Sequence, residues 1–131
     1  MTGTDLLWLA LNAYHEARGE SFDGQVAVCH VVLNRAAGRR KSVKETVLAP
    51  MQFSWANGGE RPAIKDYAAL EQCFRAADQA ANKERPQGSN LQGADHYYAA
   101  SGKNAIGEPA WVKKGNMQQV ARIGNHIFFR S

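Results

Sequence analysis

The sequence predicts an α+β fold that is mainly helical, with its strands confined to the last third of the chain. Apolar residues recur at steps of three and four over several segments, which places them on one face of a helix. Short aromatic and β-branched runs follow later, two of them separated by Gly124-Asn125, a pair typical of a hairpin turn. Because 131 residues is about the size of one domain, we expect residues 1–131 to form a single domain.

The first helix is predicted over about residues 5–18. Thr2 or Thr4 can cap its start, and Gly19 can end it. Its apolar face consists of Leu6, Leu9, Ala10, Ala13 and Ala17.

The second helix is predicted over residues 22–37, between a capping Ser21 and a terminating Gly38. Its valines would also suit a strand. The length of the segment and its cap favour a helix that is buried on most of its circumference.

Two further helices are predicted in the middle of the chain. Ser42 and Glu45 form a capping-box pattern for a short helix that ends at Leu48. Residues 51–65 contain turn-forming residues and predict a loop, and residues 66–82 form an alanine-rich amphipathic helix.

The last third is predicted to be irregular, with three short strands. They cover residues 96–99, 119–123 and 126–130, and the last two are joined by the Gly124-Asn125 turn.

The formal charge of +4 predicts attraction to polyanions, such as nucleic acid, anionic membrane or anionic cell wall. A nucleic-acid surface normally interleaves cations with stacking aromatics. No aromatic residue lies within the basic cluster, so we expect no nucleic-acid partner. The cluster comprises Arg35, Arg39, Arg40, Lys41 and Lys44.

The two cysteines, Cys29 and Cys73, lie among apolar residues of predicted helices, which favours buried thiols over a disulfide. Neither cysteine has a second cysteine or a histidine at the spacing that a structural zinc site requires. The N-terminus lacks the pattern of a secretory signal, and no run of apolar residues is long enough for a membrane anchor.

Glu16 continues the apolar face of the first helix, where a leucine would be expected. Partial burial and the negative end of the helix dipole both favour its protonated form. A carboxyl group that is protonated at neutral pH is what a glycosidase needs to protonate a departing glycosidic oxygen.

A purely structural role also fits Glu16, namely an ion pair with Arg18 or Arg35 at the end of the helix. Glu20 and Asp23 could supply a second catalytic carboxylate. We expect them instead to stabilise the first turn of the second helix through its dipole.

Two aromatic and polar clusters are candidates for sugar binding, because sugar rings present apolar faces edged by hydroxyl groups. One is the tetrapeptide Gln52-Phe53-Ser54-Trp55, and the other is His96-Tyr97-Tyr98 with Trp111. Aromatic residues of a small domain also commonly form its core.

The four histidines raise the alternative of a metal-dependent amidase. None lies in an HExxH pattern, and His30 falls on a nearly all-apolar helix, which indicates a core histidine. We therefore expect neither a metal ion nor another cofactor.

The chain resembles the cell-wall hydrolase family of the spore-cortex-lytic (SleB-like) type, within the lysozyme-like superfamily. The resemblance extends over nearly the whole chain in the family's order. The matching stretches are YHEARGE at 14–20, GQVA at 24–27, VLNR at 32–35, QFSW at 52–55, ADHYY at 94–98, PAW at 109–111 and IGNHIF at 123–128.

The resemblance implies a lysozyme-like domain with a glycan cleft between a helical part and a strand-containing lobe. It implies that Glu16 is the catalytic acid of a lytic transglycosylase acting between N-acetylmuramic acid and N-acetylglucosamine. The residues expected to hold the glycan are Gln52, Phe53, Ser54, Trp55, Tyr97 and Tyr98. Asn34 and Arg35 match as well, as possible support for Glu16.

We expect the partner to be the glycan strand of peptidoglycan. We also expect the protein to be a monomer. The lack of an export signal suits a bacteriophage endolysin released by a holin, a virion-associated enzyme or a secreted component. The remaining alternatives are a muramidase that adds water, an N-acetylmuramoyl-L-alanine amidase that depends on a metal, and a basic wall-binding module without activity.

Overall fold

The computed structural model describes residues 1–49, 53–56, 62–84 and 91–131. In these ranges the helices are α1 Gly3–Ala17, α2 Phe22–Arg39, α3 Val43–Leu48, α4 Tyr67–Ala81 and α5 Ala110–Lys113, with a 3₁₀ turn at Ser54–Ala56. The strands are β1 His96–Ala99, β2 Gln118–Ile123 and β3 His126–Arg130. The predicted fold class, mainly helical with a small group of strands, is confirmed.

Helix α1 starts two residues earlier than predicted because Thr2 is the N-cap. The Thr2 hydroxyl accepts a hydrogen bond from the Asp5 amide (3.1 Å), and the Asp5 carboxylate accepts one from the Thr2 amide (3.3 Å). This reciprocal capping box satisfies backbone groups that the first turn would otherwise leave unpaired.

Helix α2 begins after Ser21 as predicted, but the prediction that Gly38 ends it was wrong. The helix runs through Arg39, and Arg40 then adopts the left-handed conformation with φ of 54°. The amides of Arg40 and Lys41 donate to the carbonyls of Ala37 and Ala36, which closes the helix.

The middle helices follow the predicted signals. Ser42 and Glu45 form the expected capping box of α3, and Asp66 caps α4 through a bond from the Ala69 amide. Part of the loop predicted at 51–65 lies outside the described residues, and residues 54–56 form the 3₁₀ turn. The short helix α5 carries no side-chain cap, and sequence periodicity did not predict it.

The main core lies where α1, α2 and α4 pack together, with α3 along one side. Helix α2 is buried over nearly a complete helical surface from Gly24 to Val32, in agreement with its all-apolar pattern. The fully buried residues of this core include Leu9, Ala13, Val26, Val32, Val47, Cys73 and Ala77.

The strands form one antiparallel sheet in the order β1-β3-β2. Phe128 of β3 is fully buried and packs against α2 in a second apolar cluster with Val28 and Val31. Tyr97 pairs with Phe128, and Tyr98 pairs with Ile127. Because successive strand residues point to opposite faces, Tyr97 faces the helices and Tyr98 faces away from them.

Cys29 and Cys73 are both free and buried, which confirms the prediction of two thiols without a disulfide. His30 is buried, and its Nε2 lies 2.7 Å from the Glu84 carbonyl, as expected of a core histidine with a polar partner. Across the described ranges, no helix has the length and hydropathy that a membrane crossing requires.

Candidate active site

A pocket of about 390 Å³ lies between the end of α1 and the turns at one end of the sheet, a size typical of small-molecule sites. One wall consists of residues 14–20. The opposite wall consists of Ala99, Ser101, Lys103, Asn104, Asn125 and His126. Helix and sheet therefore enclose the pocket between them, and Glu16 lies in its wall.

Glu16 is half-buried on the last turn of α1. Burial raises the pKa of its carboxyl group, while the hydrogen bond from Tyr97 and the positive charge of Arg35 act in the opposite direction. The net direction is upward, as the position on the apolar helix face predicts. Glu16 is thus held toward the protonated state that proton donation requires.

The alternative ion pair of Glu16 is not formed in the described structure. Arg18 donates instead to the Tyr14 hydroxyl at 2.6 Å and lies over the Tyr14 ring. Arg35 donates through Nε to the carbonyl of Asp95 at 2.6 Å. Neither guanidinium neutralises Glu16 by direct contact.

Tyr97 is the direct partner of Glu16. Its hydroxyl donates to Glu16 Oε1 at 2.9 Å. Burial, the negative charge of Glu16 and this hydrogen bond raise the pKa of Tyr97 well above its usual value, so the phenol keeps its proton. The sequence marked Tyr97 only as a sugar contact, because nothing in the pattern shows that β1 crosses the end of α1.

Two side chains of α2 position the segment that leads into β1. Asn34 Nδ2 donates to the Ala94 carbonyl at 2.8 Å, and Arg35 Nε donates to the Asp95 carbonyl. Because Tyr97 follows two residues later, these bonds fix the strand that carries it. The VLNR stretch therefore supports Glu16 through the backbone of β1.

Glu20 joins α1 to the turn between β2 and β3. Its Oε1 accepts a bond from the Asn125 amide (3.0 Å), and its Oε2 accepts one from Asn125 Nδ2 (2.9 Å). His126 Nδ1 lies 3.3 Å from the same carboxylate. The prediction that Glu20 interacts with the dipole of α2 was wrong, because its oxygens are engaged by this distant turn, whereas Asp23 does lie in the first turn of α2.

The pKa values of Glu16 and Glu20 move in opposite directions although both residues line one pocket. Burial alone would raise the pKa of Glu20, but the two Asn125 bonds and His126 outweigh it and lower that pKa. Burial lowers the pKa of His126 and Glu20 opposes this, so the imidazole is held toward its neutral form. The ring of His126 also packs edge-on against Tyr97, with centroids 5.2 Å apart.

The predicted sugar-binding tetrapeptide is only partly described. Gln52 lies outside the described residues, and Ser54 begins the 3₁₀ turn. Phe53 is only 3% exposed in the core and lies under the Arg35 guanidinium, an arrangement that does not support sugar contact. Trp55 stacks on His15 with centroids 4.4 Å apart and thus adjoins the pocket wall.

Tyr98 lies on the face of the sheet opposite to Tyr97. It belongs to an aromatic cluster with Trp111 and Phe129, with centroid distances of 6.0 Å to each. This packing directs it away from the pocket that Glu16 lines. A role for Tyr98 in holding glycan there is unsupported by its position.

Within the described residues, no group of three or more histidine, cysteine, aspartate or glutamate side chains could hold a metal ion. In the pocket, His126 Nδ1 lies 3.3 Å from Glu20 Oε1, and the Glu20 carboxylate accepts two hydrogen bonds from Asn125.

A family model described as Cell Wall Hydrolase matches residues 19–129. The chain belongs to the cell wall hydrolase family. The match begins three residues after Glu16, so the family assignment does not depend on the carboxyl group discussed above. The recognition made from the sequence motifs is confirmed.

The curated relatives include spore cortex-lytic enzymes. That of Halalkalibacterium halodurans is 33% identical over 95% of this chain, and that of Bacillus subtilis is 30% identical over 97%. The chain spans only 34% and 38% of the lengths of these two relatives.

Two solved structures share the fold. The catalytic domain of the germination-specific lytic transglycosylase SleB from Bacillus anthracis has a TM-score of 0.75 at 26% identity, covering 99% of this chain and 97% of that one. The catalytic domain of the Bacillus cereus SleB protein has a TM-score of 0.76, also at 26% identity, and covers 99% and 92%. The fold is therefore that of the SleB catalytic domain.

Proposed function

We propose that this chain degrades peptidoglycan by cleaving the bond between N-acetylmuramic acid and N-acetylglucosamine, as a lytic transglycosylase with Glu16 as its acid and base. The observation that carries the proposal is the environment of Glu16, a half-buried carboxyl with a raised pKa in the wall of a pocket. The family and the likeness to a lytic transglycosylase domain support it.

The proposed reaction needs one carboxyl group in two protonation states. Protonated Glu16 donates its proton to the glycosidic oxygen as the bond to C1 breaks, which frees the N-acetylglucosamine end. The resulting carboxylate then removes the proton from the muramoyl 6-hydroxyl as that oxygen closes on C1. The product is a 1,6-anhydro sugar, no water is consumed, and Glu16 ends protonated.

Tyr97 fits both halves of this cycle. Its hydroxyl donates to Glu16 Oε1, which stabilises the carboxylate formed after proton donation. Oε2 has no hydrogen-bond partner among the described residues and is the oxygen that we assign to the substrate. Burial shifts the pKa of Glu16 upward and so favours the protonated carboxyl, and the Tyr97 bond orients it.

The test is Glu16→Gln, assayed on purified sacculi with mass analysis of the released muropeptides. General acid catalysis is worth about 10²–10⁴-fold, so we expect activity to fall by at least about 100-fold with the fold retained. The matched control is Glu71→Gln, which removes an exposed carboxylate whose ion-pair partner in the described structure is Arg75 on α4. Undiminished cleavage by Glu16→Gln would overturn the assignment.

The product masses separate the remaining alternatives. Anhydro muropeptides are lighter by one water than the products of a hydrolytic muramidase. New amino termini and sensitivity to chelators would indicate an amidase instead, and binding to sacculi without released products would indicate a wall-binding module. We propose that the protein acts on the cell wall. Its delivery by a holin, or as a virion or secreted component, stays a prediction. Its monomeric state also stays a prediction.

A further inference from the structure

The pocket holds more available positive than negative charge. Four charged side chains of the described structure line it, namely Glu16, Glu20, Arg18 and Lys103. Glu16 is held toward its neutral form, which leaves the Glu20 carboxylate, hydrogen-bonded by Asn125, as the one negative charge against two positive ones among these four side chains. Arg18 donates to the Tyr14 hydroxyl and forms no ion pair with a described residue, so its positive charge stays available.

Lys103 lies on a short, exposed turn that is held in place by several hydrogen bonds. The amide of Ala100 donates to the Asn125 carbonyl at 2.8 Å, and the Ser101 hydroxyl donates to Asn125 Oδ1 at 2.9 Å. On the far side, the Ile106 amide donates to the Ala99 carbonyl at 2.9 Å and closes the turn.

The packing at Gly102 restricts the turn further. Its φ of 84° is left-handed, and a Cβ at this position would lie 2.7 Å from Asn125 Nδ2. Asn125 is itself held by the buried carboxylate of Glu20. The turn that carries Lys103 is therefore fastened to the same residue that joins α1 to the sheet.

Lys103 is exposed and forms no ion pair within the described ranges of the chain. A lysine on a mobile surface loop would be a solvated charge with no defined position. Here the backbone that carries Lys103 is held in a turn of defined geometry, and Lys103 lines the pocket together with Arg18.

We propose that Lys103 and Arg18 bind a carboxylate attached to the muramoyl residue at the bond being cleaved. The inference rests on the proposed function and names the chemical feature that the same pocket selects. N-acetylmuramic acid differs from N-acetylglucosamine by its lactyl ether, whose carboxyl is either free or extended by a stem peptide bearing its own carboxylates. A cationic rim beside Glu16 distinguishes these two sugars, and so places the muramoyl side of the bond next to the acid.

The experiment compares Lys103→Gln with the wild-type protein on three forms of purified sacculi. One carries intact stem peptides, a second has its carboxylates amidated with carbodiimide and ammonia, and a third is stripped of stems by an amidase so that the lactyl carboxylates are free. Lys113→Gln is the control, because Lys113 is an exposed cation outside the pocket. The readout is kcat/KM for release of 1,6-anhydro products, which are muropeptides from the first two forms and peptide-free disaccharides from the third.

We expect Lys103→Gln to lower kcat/KM by about two- to fivefold on carboxylate-bearing sacculi, the range of a partly exposed ion pair. The loss should shrink at high salt and vanish on amidated sacculi, while Lys113→Gln matches the wild type throughout. A loss confined to intact sacculi assigns the stem carboxylate, and one confined to stripped sacculi assigns the lactyl carboxylate.

The proposal is overturned if Lys103→Gln matches the wild type on every substrate, or loses the same factor on amidated sacculi. Either result leaves the proposed function standing as long as the wild type releases anhydro products that Glu16→Gln does not. Failure of the wild type to release such products would instead reject the proposed function.

Discussion

The two oxygens of Glu16 face different surroundings. Oε1 accepts the Tyr97 hydroxyl, and the rest of the carboxyl is half-buried in the pocket wall. The hydrogen bond favours the ionised form while burial favours the neutral one, so the pKa reflects a balance between them. In the proposed mechanism, the protonation of Glu16 therefore depends on Tyr97 as well as on burial.

Replacement of Tyr97 by phenylalanine should reveal this balance. Tyr97→Phe removes the bond that stabilises the carboxylate, so the pKa of Glu16 should rise further and the alkaline limb of the pH–rate profile should move to higher pH. We also expect kcat at the optimum to fall about tenfold, because the carboxyl group loses its orienting contact.

Tyr98→Phe serves as the matched control for this profile. Tyr98 packs against Trp111 and Phe129 on the other face of the sheet. Loss of its hydroxyl should therefore leave the alkaline limb of the pH–rate profile unchanged. A limb that does not move in Tyr97→Phe would show that Glu16 is not the group whose protonation limits the rate.

At this scale the sequence singled out Glu16, the residue that we propose as the acid, but not the contacts that surround it. Glu16 was evident because a carboxylate interrupts an apolar helix face. The roles of Tyr97 and Glu20 depend on contacts across 81 and 105 positions of the chain, for which a single sequence carries no signal. The HYY motif does not separate Tyr98 from Tyr97, although adjacent residues of a strand point to opposite faces.

At the scale of elements, Glu20 fastens the end of α1 to the β2–β3 turn. Its side chain is only 10% exposed, and the neighbouring Gly124, with φ of 57°, would place a Cβ 2.9 Å from Oε1. The turn therefore accommodates the carboxylate only with glycine at this position. Helix and hairpin are joined by a small polar contact beside the pocket.

Glu20→Ala should destabilise the fold by about 1–3 kcal/mol, because it leaves Asn125 donors without their acceptor in a largely buried site. The control Glu71→Ala removes an exposed i,i+4 pair and should stay within about 0.5 kcal/mol of the wild type. Urea unfolding at neutral pH measures both.

The difference between wild type and Glu20→Ala should also depend on pH in a defined direction. The folded pKa of Glu20 is lowered, so its stabilising contribution is complete above the unfolded pKa and is lost as pH falls through the folded one. If the difference in unfolding free energy between wild type and Glu20→Ala stayed unchanged well below the folded pKa of Glu20, an ionic role for this carboxylate would be contradicted.

The helices were predicted to within two residues at their ends wherever a cap defined them. Thr2, Ser21 and Ser42 all cap as side-chain chemistry requires. The end of α2 was misplaced because a glycine inside a helix costs only about 1 kcal/mol and does not by itself stop it. Helix α5 was missed because four residues give too short a period to detect.

At the scale of the whole molecule, two apolar clusters meet at α2. One contains Cys29 and Val32 with residues of α1 and α4, and the other contains Val28 and Val31 with Phe128 of the sheet. The predicted burial of α2 on most of its circumference is explained by this double contact. Loss of either cluster would disturb the helix that supports β1.

The two thiols offer a measure of this packing. Burial raises the pKa of Cys29 beyond the ordinary range of thiols, and burial raises the pKa of Cys73 to about 11. Since the thiolate is the reactive form, neither should react with a disulfide reagent in the native state at neutral pH. We expect two thiols to become reactive together across the urea transition, and rapid labelling without denaturant would contradict the packing.

The contact between Trp55 and His15 makes the indole an intrinsic fluorescence reporter beside the pocket that Glu16 lines. Tryptophan emission responds to the charge of a stacked imidazole, and burial together with Arg18 lowers the pKa of His15, so this ring is neutral at neutral pH. Emission from Trp55 should consequently be bright at neutral pH and quenched in acid. Arrival of a sugar next to His15 would alter the same signal without any attached dye.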